Sequence, residues 1–170
     1  MGNAKQGSTE QAVAEGLEVI PGGSVTTPRG FTAGGIHVGV RTDWDKLDIG
    51  IVASDTPCVT AATYTQNRVP GASLVISKQH LADGKAQAIV ANAGCANAAT
   101  GKQGMDDAIA MAQLAAKKLG IDPHDVVVAS TGVIGTYLPM DRIGGGIERM
   151  TLSAEGGLDF ATAIMTTDTV

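Results

Sequence analysis

The chain is 170 residues long, 44% hydrophobic and only 17% charged, a balance that supports a packed core and excludes an intrinsically disordered chain. Its formal net charge of −5, with no basic cluster, argues against nucleic acid as a partner, because phosphate binding needs concentrated Lys and Arg. No apolar run is long enough to span a membrane, so no membrane partner is expected.

The first residues, Met1-Gly2-Asn3-Ala4-Lys5-Gln6, lack the apolar stretch of a secretory signal, and Gln6 stands where N-myristoylation wants Ser or Thr. The two cysteines, Cys58 and Cys95, form no CxxC and show no metal-ligand spacing. A reduced, cytoplasmic protein with inert thiols and no metal site is expected. Aromatics are only 3%, so the core must be built from Val, Ile, Leu, Ala and Met.

Residues 1–20 read as a polar, Ala-containing, flexible arm, and Pro21-Gly22-Gly23 breaks the chain after it. Thr27-Pro28-Arg29-Gly30-Phe31 is a turn that leads into an irregular extended segment, Ile36 to Arg41. Trp44, among Asp43, Asp45 and Lys46, is placed at an edge of the core. Asp48 to Ala53 reads as a strand, Asp55-Thr56-Pro57 as a turn, and Val59 to Thr65 as a second strand paired with the first in a hairpin. Leu74-Val75-Ile76-Ser77 reads as a third strand, His80 to Lys85 as a short helix or turn, and Ala88-Ile89-Val90-Ala91 as a fourth strand, apolar throughout and therefore central.

A small-residue and amide stretch, Asn92 to Gly101, precedes a helix over 104–119. Met105, Ala108, Ile109, Ala112, Ala115 and Leu119 lie on one face of that helix, and Gly120 stops it. A strand over 126–130 then runs into Thr131-Gly132-Val133-Ile134-Gly135, a small-residue turn before a helix from Pro139 to Met150. Gly144-Gly145-Gly146 either permits close packing or breaks that helix. A short helix over 158–165 ends the pattern. Hairpin-like strands early and strand–helix alternation late favour α+β layers over a doubly wound sheet.

The chemistry concentrates at the turn around Thr131 and Gly132. Glycines there let backbone N–H groups approach a ligand, as an oxyanion hole or a phosphate cradle requires. The P-loop and dinucleotide-binding patterns are both absent. A strand-to-helix turn that merely needs glycine stays open as an alternative. Asn92 and Asn97 either bind a polar ligand or brace a loop, with bracing the favoured role. Thr166, Thr167 and Asp168 carry hydroxyl and carboxylate groups suited to an amino-acid-like substrate. None of His37, His80 and His124 sits in a catalytic context, and His124 lies in a surface loop.

Five stretches give these residues a wider meaning: Pro28-Arg29-Gly30-Phe31 with Ala33-Gly34-Gly35; Tyr64-Thr65-Gln66-Asn67; Asn92-Ala93-Gly94-Cys95-Ala96-Asn97-Ala98 through Gly101; Ser130 to Gly135 with Leu138-Pro139-Met140; and Ala163-Ile164-Met165-Thr166-Thr167-Asp168-Thr169. In this order they resemble the N-terminal (α) chain of ornithine acetyltransferase, the bifunctional glutamate N-acetyltransferase of arginine biosynthesis. Arg41 stands where that family often has lysine, and Tyr64 where it often has phenylalanine.

The resemblance implies an α+β layered sandwich resembling the N-terminal nucleophile hydrolases. It implies a precursor that cleaves itself before a threonine, which becomes the N-terminus of a β chain and the nucleophile. Its own amine serves as base. Acetyl passes from N-acetylornithine to that threonine and then to glutamate, and some members also take acetyl-CoA as donor. No other cofactor is implied. Thr131 and Gly132 fall on the oxyanion-stabilising pair, and Thr166 on a substrate-binding threonine. The nucleophile is not among these residues, so 21–170 is expected to be an α-chain domain, inactive without its β chain, in an (αβ)2 or larger assembly. Two other readings stay open: a related self-processing amidase or aminopeptidase, and a non-catalytic α/β domain that binds an anion at the Thr131 turn.

Overall fold

A computed structural model describes residues 17–41 and 46–166. Most of the expected arm, along with Trp44, Thr167 and Asp168, lies outside the described residues, while 17–20 are exposed and without regular structure.

One four-stranded sheet, in the order β1-β2-β3-β4, organises the chain. The strands are β1 (Phe31–Ile36), β2 (Ile49–Val59), β3 (Lys85–Cys95) and β4 (Val126–Val133). β1, β2 and β3 pair antiparallel, whereas β3 and β4 pair parallel across the crossover helix α2 (Gly101–Leu119). The remaining helices are α1 (Ala72–His80), α3 (Met140–Arg149) and α4 (Gly157–Ile164). The fold is therefore α+β, and β3 is central, as its unbroken apolar run predicted.

Strand alternation divides the core. Ile49, Ile51, Ala88, Val90, Val126 and Val128 face the main core with Ile76 of α1, Met111 of α2, and Ile143 and Ile147 of α3. On the opposite face Ala33, Val52 and Ala91 pack with Phe160 of α4. α2 begins at Gly101 and buries Ala108, Met111, Ala112, Ala115 and Ala116, while Ile109, expected on that face, is half-exposed. Gly120, in the left-handed conformation, caps the helix as predicted. The three glycines of α3 do not break it: a Cβ on Gly146 would lie 2.2 Å from Val38 Cγ1, so the close packing of the helix requires glycine there.

Three expectations for the first half are corrected. Between the expected turn, present at residues 28–30, and the expected irregular segment, present at 37–41, lies an unexpected strand, β1, which pairs along β2 from Phe31↔Ser54 to Ile36↔Ile49. Asp55-Thr56-Pro57 is not a hairpin turn. It lies within β2, where pairing to β3 is interrupted between Ala53 and Cys58. Pro57 has no N–H to give a ladder and is tolerated at such an irregularity. The residues after Val59 form no strand, so the expected hairpin is replaced by β1 and β3 on either side of β2.

The third correction is Leu74 to Ser77, which is helical. A four-residue apolar run does not distinguish strand from buried helix, and the burial of Ala72, Ser73, Ile76 and Ser77 follows the helical period. This helix lies along the outer edge of β4. Ser77 Oγ donates to the Val128 carbonyl (2.6 Å) and accepts the Val128 N–H (2.8 Å). Ser73 and Ser130 hydroxyls bond at 2.6 Å, and His80 Nδ1–H donates to the Val126 carbonyl (2.8 Å). Four helical residues rise about 6 Å and two strand residues about 6.6 Å, so serines four apart meet strand positions two apart. An edge strand that would otherwise present bare N–H and C=O groups is thereby covered. Ser77→Ala leaves both Val128 groups without this partner and is expected to cost about 1–3 kcal/mol in denaturant unfolding of the complete protein. A change within about 0.5 kcal/mol, the range of an ordinary surface substitution, would show the hydroxyl to be dispensable.

Candidate functional site

The site forms where β3 and β4 end side by side. Their register runs Asn92↔Ser130, Ala93↔Thr131, Gly94↔Gly132 and Cys95↔Val133. Thr131 and Gly132 are thus rungs of the parallel ladder and not a turn, which corrects the expectation that the strand stops at residue 130. The glycine-containing local pattern carried no sign of the pairing with β3. The chain leaves the ladder after Val133, and Gly135 N–H donates to the Ala98 carbonyl (2.9 Å).

Two facing glycines shape this end of the sheet. Gly132 has φ +131° and Gly94 has φ +110°, conformations that side chains rarely adopt. A Cβ on Gly132 would lie 2.3 Å from the Gly94 carbonyl carbon, and one on Gly94 would lie 2.8 Å from the Val40 carbonyl oxygen and 2.9 Å from Arg41 Cγ. Three chain segments therefore stack with no room between them. Thr131 is half-buried and Gly132 is exposed, so this fixed backbone is presented at the surface.

The third of those segments is held by Asp48, which is fully buried. Its carboxylate accepts the backbone N–H groups of Val38 (2.7 Å), Gly39 (2.8 Å) and Arg41 (3.1 Å), and its own carbonyl accepts from Ala93 N–H (2.9 Å). Arg41 then reaches the end of α4: Nη1 donates to the Met165 carbonyl and Nη2 to the Thr166 carbonyl (3.3 Å). Thr131, Gly132 and Thr166, distant in sequence, are joined through Gly94 and Arg41. Neither Asp48 nor Arg41 stands out as a site residue in the sequence, because a carboxylate that gathers backbone N–H groups from seven to ten residues earlier has no local signature.

Asn97 braces its loop, as the favoured reading had it. Its Nδ2 donates to the Gly104 carbonyl (2.8 Å) and its Oδ1 accepts from Thr100 Oγ1 (2.8 Å). Asn92 Nδ2 donates to the Cys95 carbonyl (2.9 Å) within the end of β3. Each histidine has a local bond: His37 Nδ1–H to the Lys46 carbonyl (2.7 Å), His80 to β4, and His124 to Asp122 (3.2 Å). The His124 backbone N–H, bonded at 2.8 Å, holds the exposed Asp122 carboxyl below its ordinary pKa. Cys58 and Cys95 are both free thiols. Among the described residues no group of three His, Cys, Asp or Glu is placed to hold a metal ion, and no helix is long and apolar enough to cross a membrane.

Comparison with known proteins places this geometry. The ArgJ family model matches residues 32–170. The chain is 47% identical over 154 residues to the arginine biosynthesis bifunctional protein ArgJ of Dehalococcoides mccartyi, covering 90% of this chain and 38% of that protein. The chain thus spans about two fifths of the length of such relatives. Among solved structures, the arginine biosynthesis bifunctional protein ArgJ from Bacillus halodurans superposes with a TM-score of 0.84 at 45% identity, covering 89% of this chain and 80% of that one. Ornithine acetyltransferase from Mycobacterium tuberculosis, complexed with ornithine, gives 0.80 at 37%, covering 86% and 81%. With the family model matched over residues 32–170 and the fold shared with both solved structures, the chain belongs to the ArgJ family.

Proposed function

We propose that this chain is the α part of a self-processing N-acetyltransferase of arginine biosynthesis, which moves acetyl from N2-acetylornithine to glutamate. The nucleophile is the N-terminal threonine of a β chain from the same precursor. Its hydroxyl adds to the acetyl carbonyl while its amine takes the hydroxyl proton. The tetrahedral intermediate expels the ornithine amine, which recovers a proton, and leaves an acetyl ester on the threonine. The glutamate amine then adds to that ester through a second intermediate and restores the hydroxyl.

Both intermediates carry a negative oxygen, and in this reading Thr131 and Gly132 stabilise it while Thr166 binds substrate. The observation that supports the assignment is the Gly132–Gly94 packing, which holds the exposed Gly132 backbone against the end of β3; a preset backbone is what oxyanion stabilisation requires. Val133, Ile134 and Tyr137, 59–67% exposed beside it, are apolar surface that a β chain would cover. An (αβ)2 or larger assembly in the cytoplasm, with acetyl-CoA as a second donor, completes the proposal.

The test is acetyl transfer by the assembled enzyme, with intact mass and N-terminal sequencing of the purified particle. A second chain that begins with threonine is expected, together with N-acetylglutamate as product. Thr131→Ala should lower kcat about 100–1,000-fold, as loss of an oxyanion donor does. Free acetate with no N-acetylglutamate would make the protein an amidase. Absence of turnover and of a partner chain would leave only an anion-binding domain.

A further inference from the structure

We propose that Arg41 is a positioning residue for this reaction, a clamp that sets the substrate-binding Thr166 against the end of the β3–β4 ladder. The inference rests on the functional reading above. Three independent constraints meet at this side chain. Its backbone is fixed by the N–H bond to the buried Asp48 carboxylate (3.1 Å). Its stem lies over Gly94, whose missing Cβ would stand 2.9 Å from Arg41 Cγ. Its guanidinium donates from two different nitrogens to the consecutive carbonyls of Met165 and Thr166.

A planar guanidinium can serve two neighbouring carbonyls at once from a rigid fork, whereas a lysine ammonium is a single point at the end of a flexible stem. The two carbonyls it holds stand immediately after α4, where the chain has left the helix: Met165 is the C-cap, with extended backbone dihedrals. One side chain thus carries positional information from the Gly94–Gly132 rung to Thr166. Arg41 needs no contact with substrate to do so, and it acts through the segment that carries Thr166.

The role separates binding from chemistry. In the assembled enzyme, Arg41→Ala is expected to raise the KM for N-acetylornithine about tenfold with kcat within about threefold, the pattern of lost ground-state and transition-state binding alike. Arg41→Lys, which installs the residue that the family often has here, should stay closer to the parent enzyme than Arg41→Ala does, because an ammonium still donates to carbonyls from a shorter reach of donors. In a Thr166→Ala background, Arg41→Ala should add less than about twofold, because both substitutions disable one element. A readout without turnover accompanies these: hydrogen–deuterium exchange of the assembled protein, in which the peptide covering 157–166 should exchange about tenfold faster in Arg41→Ala. An unchanged KM in Arg41→Ala, full additivity with Thr166→Ala, or unchanged exchange would each overturn the clamp. If the parent enzyme transfers no acetyl group, the functional reading fails by itself, and exchange alone then decides whether Arg41 holds Thr166.

Discussion

Gly132→Ala is expected to lower both turnover and thermal stability, and to do so by a mechanism different from Thr131→Ala. A methyl group at position 132 meets the Gly94 carbonyl carbon at 2.3 Å, the Cys95 nitrogen at 2.6 Å and the Gly94 oxygen at 2.6 Å. These are backbone atoms in the paired strand, so no side chain can swing aside. The positive φ adds strain of about 1–3 kcal/mol for a residue with a Cβ. The rung must open, and the two strand ends separate at the point where the oxyanion is proposed to sit.

A turnover loss of at least about 100-fold is expected, with a clearly lowered melting temperature. Gly135→Ala is the control: that glycine also has positive φ, +82°, yet its Cβ would meet nothing within 4 Å. It should incur only the conformational cost, about 1 kcal/mol, with turnover within about threefold. Equal behaviour of the two variants in melting and kinetic assays would show that the close contact with Gly94 does not matter.

Asp48→Ala is the second large effect. The carboxylate is fully buried and serves three backbone N–H groups of the 38–41 segment. Those donors come from a stretch with no regular secondary structure, so the carboxylate substitutes for a strand partner. Its removal leaves them without that acceptor and should cost about 3–5 kcal/mol, the scale for breaking a buried charged network. Asp48→Asn keeps one acceptor oxygen and should lose about 1.5–3 kcal/mol, a charged hydrogen bond's worth. Denaturant unfolding of the complete protein should rank the parent above Asn and Asn above Ala. If Ala matched Asn, the geometry of the two oxygens would not be what holds the segment. Because Asp48 also fixes the Arg41 backbone, Asp48→Asn should raise the KM for N-acetylornithine in the same direction as Arg41→Ala.

The late half of the chain was legible because its signals are local. The apolar spacing of α2 and its Gly120 stop, the faces of α3 with Ile143 and Ile147, and the apolar run of β3 each follow from a period or a cap within a few residues. The motif order named the family, and the roles that it implies for Thr131, Gly132 and Thr166 are the ones proposed above.

What the tertiary structure alone decided concerns partners far apart in sequence. Leu74 to Ser77 reads as strand by composition but folds as helix, since β4 offers Ser73 and Ser77 a row of edge groups fifty-odd residues away. β1 exists because β2 supplies a ladder for Phe31 to Ile36, residues whose own propensity, with two glycines among six, is weak. The joining of Thr166 to the Gly94–Gly132 rung spans more than a hundred residues through Arg41. Spacing and propensity act over one or two turns of chain, whereas a backbone hydrogen bond or a steric stop depends only on what the completed sheet brings alongside. The motifs could be read from the amino-acid order alone, and their arrangement into one site could not.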